Sequence, residues 1–209
     1  MNLARWTVLP LFLAALVGCK STHEDKDYYK EIVSDLDSIE TGLKDGGYKI
    51  DTVTKSLDKL STAQGDLRGP LGDLDRAIAG MDGTSDRIQS LGKDLDAKQA
   101  KFESNWKDEI EAIESSSVRK TAETGRAAVD ASFKSLDQRS ASVANTFREW
   151  ESKVKSIQSS LQKDLSPANL QSLGTRIKEV TSSAPALKES IRMLTNDIGA
   201  LSSSMRSIP

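Results

Sequence analysis

The sequence predicts an all-α protein, built as an elongated antiparallel coiled-coil bundle of three to four long helices. Three observations lead there. Apolar residues recur at alternating steps of three and four over most of the chain, the 3.5-residue period of a left-handed coiled-coil seam. With 29% charged, 37% apolar and only 5% aromatic residues, the composition suits helices that bury a narrow stripe better than it suits a compact globule. No stretch alternates apolar and polar residues with the period of a strand.

Residues 1–18 come first and do not belong to the seam. Arg5 precedes the apolar run Val8 to Val17, which at about ten residues is half of the roughly 20 that a membrane-crossing helix needs. Such a pattern reads as a secretory signal peptide. Its end, Leu16-Val17-Gly18-Cys19, resembles the lipobox of bacterial lipoproteins. That resemblance implies cleavage before Cys19, diacylation of its sulfur and acylation of the new N-terminus, and Cys19 is the chain's single cysteine. Two or more acyl chains anchor a protein stably where one binds only marginally, so the membrane itself is the first expected partner. Residues 19–26 then form a polar tether. Lys20, in place of an aspartate after the lipidated cysteine, favours the outer membrane over the inner under the enteric sorting rule. The chain is expected to face the periplasm.

The first helical run holds its register from Tyr29 through Ile32, Leu36, Ile39, Leu43, Ile50, Val53, Leu57, Leu60, Leu67, Leu71, Leu74, Ile78 and Met81, and on to Trp106, Glu109 and Ile113. Of its 25 seam positions 19 are apolar, too many for a chain that is 37% apolar overall. Gly46, Gln64, Ser85, Gly92, Gln99 and Glu109 are the exceptions. Gln64, Ser85, Gly92, Gln99 and Glu109 act either as register devices or as part of a contact surface. Gly65, Gly69 and Pro70 predict a bend near 65–70, because glycine costs about 1 kcal/mol and proline about 3 inside a helix.

A second run takes Val129, Phe133, Leu136, Ser140, Val143, Phe147, Trp150, Val154, Ile157 and Leu161. It lies out of phase with the first, which places a break within 114–128, where Ser115-Ser116-Ser117 falls. A third takes Leu170, Leu173, Ile177, Val180, Ala184, Leu187, Ile191, Leu194, Ile198, Leu201, Met205 and Ile208. The break between them lies at 162–167, with Ser166 as the cap and Pro167 at the first helical position, where a missing N–H costs nothing. Pro185 falls inside an unbroken register, so a kink is expected there and not an end. Residues 27–209 thus form one helical coiled-coil domain.

Nothing in the sequence predicts an enzyme. Phosphate-loop, zinc-protease, Cys-x-x-Cys and Gly-x-Ser-x-Gly patterns are all missing, no cofactor is implied, and His23 stands in the tether without a second metal ligand near it. Lys plus Arg number 29 against 31 Asp plus Glu, a balance that argues against nucleic acid as a partner. Pairs such as Asp51 with Lys55 are solvated helix faces. The function expected is that of a non-enzymatic envelope lipoprotein presenting a coiled-coil surface to a protein or acting as a spacer, with homo-oligomerisation through the same seams left open. The alternative is a membrane-active protein resembling the α-helical pore-forming toxins, a class that inserts a contiguous apolar hairpin. After Cys19 the longest apolar runs are three residues, such as Ala127-Ala128-Val129.

Trp106-x-x-Glu109-Ile110, followed by Ile113 and Val118-Arg119, together with Leu161, Leu165, Leu170 and Leu173, resembles a family of α-helical, coiled-coil lipoproteins of Gram-negative bacteria, a domain-of-unknown-function family. The resemblance covers roughly residues 60 to 180. It implies an extended helical lipoprotein in which Trp106, Glu109 and Arg119 carry the motif, and it implies no activity. Ser166-Pro167 and Pro185 depart from the family pattern.

Overall fold

The computed structural model describes residues 23–206, with side chains from residue 30 onward except at 85–89, 91, 92, 94, 95, 98, 102 and 105. Leu16, Val17, Gly18 and Cys19 lie outside the described residues, as do the side chains of Tyr29, Ser85, Gly92 and Ile208. Among the described residues four α-helices follow one another: α1 (His23–Ser61), α2 (Arg68–Glu111), α3 (Ser116–Lys163) and α4 (Pro167–Arg206). Among the described residues there is no strand.

The seams are where the period puts them. Ile32, Leu36, Ile39, Leu43, Ile50, Val53, Leu57 and Leu60 of α1 are all buried, and so is every third-run position from Leu170 to Met205. Burying one such leucine or isoleucine removes its surface from water, worth about 1.5–3 kcal/mol. An amphipathic helix of this length owes its stability to that stripe and not to propensity.

The helix ends differ from the expected ones in several places. Residues 23–26, expected in the tether, are already helical and belong to α1. The first bend spans 62–67 and not 65–70. Gly65 makes it, at φ 86°, a left-handed conformation that glycine adopts without a Cβ clash. Gly69 and Pro70 sit in the first turn of α2 instead, where the backbone N–H has no intrahelical acceptor to lose. Leu67 supplies the first carbonyl of that helix, to Leu71 N at 2.9 Å, and Asp66 Oδ1 accepts from Arg68 N at 3.0 Å. Gln64, counted as a seam position, is exposed in this bend.

The second break occupies only 112–115. Helix α3 reaches back to Ser116 because Ala122, one heptad before Val129, is apolar and buried. In the last turns of α2 the seam also slips by one residue. Ile110 is buried and Glu109 is half-exposed, since desolvating a carboxylate costs far more than exposing one face of an isoleucine. At the third break the expected cap is present: Asn169 N donates to Ser166 Oγ at 3.2 Å, and α4 starts at Pro167. Helix α4 continues through Pro185. Proline cannot donate to the carbonyl four residues before it, and next to that carbonyl Trp150 Nε1 donates to Val180 O at 3.0 Å.

The helices contribute to two compact units. One gathers α1 up to Glu40, α2 from Leu91, α3 up to Gln138 and α4 from Asn196. Its core holds Ile32, Leu36, Trp106, Ile110, Phe133, Ile198 and Met205. Asp37 joins α1 to α4, accepting from Ser202 Oγ at 2.8 Å and from the Arg206 guanidinium.

The other gathers Thr41–Ser90 and Arg139–Thr195. There α1 meets α2 through Lys49 with Thr84, 2.8 Å, and Lys59 with Asp73. Helix α2 meets α3 where Gln158 and Gln162 donate to Asp75 at 2.7 and 3.1 Å and where Lys155 pairs with Asp82 at 2.8 Å. Helices α3 and α4 are joined by Lys153 with Glu179, 2.5 Å, and Arg176 with Ser156, 2.7 Å. Lys188 closes the circuit on Asp51 of α1 at 2.6 Å.

Candidate functional site

At the polar interruption of the first seam, α2 and α3 of the first unit line a groove. It encloses about 420 Å³ and is lined by Asp96, Gln99 and Glu103 of α2 and by Asp130, Lys134 and Asp137 of α3. Gln99 stands at a seam position where leucine or isoleucine would pack. Its Nε2 instead donates to Glu103 Oε1, one turn on, at 2.9 Å. On α3 the groove residues 130, 134 and 137 follow the seam residues Val129, Phe133 and Leu136 by one, so they flank the apolar stripe.

Four carboxylates against one lysine shift the local proton equilibria. Asp130 is pushed above its ordinary value, first by burial and then by the negative charge of Glu103, with Arg126 opposing. Its Oδ2 lies 3.6 Å from Arg126 Nε, and its Oδ1 is buried without a hydrogen-bond partner. Asp96 is raised as well, by burial and then by Asp137. These carboxyls hold a proton more readily than free ones. Among the described residues no group of three or more His, Cys, Asp or Glu is arranged to hold a metal ion. The side chain of His23 is outside the described residues.

The Trp106 to Arg119 motif builds the corner between α2 and α3. Trp106, Ile110 and Ile113 are buried on one stripe. Past the end of α2, Ile113 O faces a terminus whose carbonyls lack helical partners. Arg119 supplies the donors from the first turn of α3: Nε at 3.0 Å and Nη2 at 2.5 Å. Glu109 lies at the edge of this corner, half-exposed. The motif therefore has a structural reason in this chain, the bonding of the connection between α2 and α3.

Two features escaped the sequence reading. Thr84 is buried where Ser85 was counted in the seam, its hydroxyl accepting from Lys49. The buried Oδ1 of Asp130 is not legible in the sequence, because the residue stands one position off the seam, where spacing alone predicts exposure. Among the described residues no helix is long and apolar enough to cross a membrane. No family model, no curated protein and no solved structure matches the chain.

Proposed function

We propose that the chain is a non-enzymatic envelope lipoprotein, anchored through lipid on Cys19, whose four long helices form an elongated antiparallel bundle that presents its surface to a protein partner. The observation that carries the reading is the Leu16-Val17-Gly18-Cys19 box with the chain's single thiol at its last position. The order of contacts in the second unit, where Lys49 meets Thr84 and Lys59 meets Asp73, supports antiparallel packing of consecutive helices. The likeness of the Trp106 to Arg119 motif to helical lipoproteins agrees with this function, and Lys20 favours the outer membrane.

The test is metabolic labelling with a radioactive fatty acid, with membrane fractionation of the same cells. Wild-type protein should take up label and sediment with membranes, whereas Cys19→Ser should stay unlabelled and uncleaved. Equal labelling of the two proteins overturns the anchor. Solution scattering on residues 27–209 tests the shape: a radius of gyration near the roughly 16 Å of a compact globule of that length overturns the elongated bundle.

A further inference from the structure

We draw no further inference here: the strongest candidate, the acid-lined groove between α2 and α3 in the first unit, is a carboxylate cluster whose lining side chains all keep some exposure to solvent, and nothing in the structure shows what would fill it.

Discussion

Leu194→Ala tests whether the stripe of α4 is core. The side chain is 2% exposed, while its neighbour Met193 is 42% exposed, so adjacent residues on one helix should respond in opposite ways. Truncation of Leu194 removes three carbons from a packed site. At about 0.8 kcal/mol per buried methylene the transfer part is about 2.4 kcal/mol. The cavity left behind raises the total into the range of about 2–5 kcal/mol. For a chain of this size each kcal/mol lowers Tm by about 2–4 °C, so a loss of about 3 kcal/mol corresponds to a drop of roughly 6–12 °C. Met193→Ala should cost about 0.5 kcal/mol or less. Thermal melts and urea titrations followed by circular dichroism on both variants, at matched concentration, provide the measurement. A Leu194→Ala protein that melts with wild type, or a Met193→Ala protein that loses as much, would show that α4 buries a different face and would refute the packing described above.

Trp150→Phe keeps an aromatic ring but removes the pyrrole half of the indole with the N–H that reaches Val180 O, and should cost more than the about 1 kcal/mol of the hydrogen bond alone because buried volume is lost with it; an unchanged melt would show that neither contributes beside Pro185. Ser166→Ala removes the acceptor for Asn169 N and should lose about 1 kcal/mol, with faster hydrogen exchange in the first turn of α4 as its local sign. The two units should also respond differently to acid. Asp96 and Asp130 sit above the ordinary 3.8, chiefly through burial, so their ionised forms oppose folding of the first unit at neutral pH, and that opposition fades as pH falls through the raised values. Asp73, Glu179 and Glu189 in the second unit are held below their ordinary values by hydrogen bonds from Lys59, Lys153 and Arg192. What they contribute is present above the ordinary values and lost only as pH falls through the lowered ones. As pH falls from neutrality into the raised titration range of Asp96 and Asp130, still above the ordinary carboxylate values, amide protection corrected for intrinsic exchange should therefore rise in the first unit alone, and Asp130→Asn should flatten that rise while raising protection at pH 7. Parallel profiles in the two units would contradict this.

The all-helical class and most of the buried stripe were legible in the residues. Leu170 through Met205 could be placed in the core from spacing alone, because a helix with one apolar face has a single way to remove that face from water. Ser166-Pro167 was legible for the same kind of reason: a side-chain acceptor and a missing donor suit one position of a helix start. Where two local rules competed, spacing could not arbitrate. Gly69-Pro70 carries a strong helix-breaking penalty, yet that penalty vanishes in a first turn, and only the folded chain showed that the turn begins at Arg68. Glu109 and Ile110 both lie near the seam, and the three-dimensional corner closed by Arg119 decided which one faces inward. The proposed anchor, by contrast, rests wholly on the Leu16 to Cys19 box, since a processing signal is read as a linear pattern. The groove beside Gln99 belongs to the tertiary structure: its carboxylates are spread over two helices, and their mutual repulsion and burial exist only once α2 and α3 lie side by side.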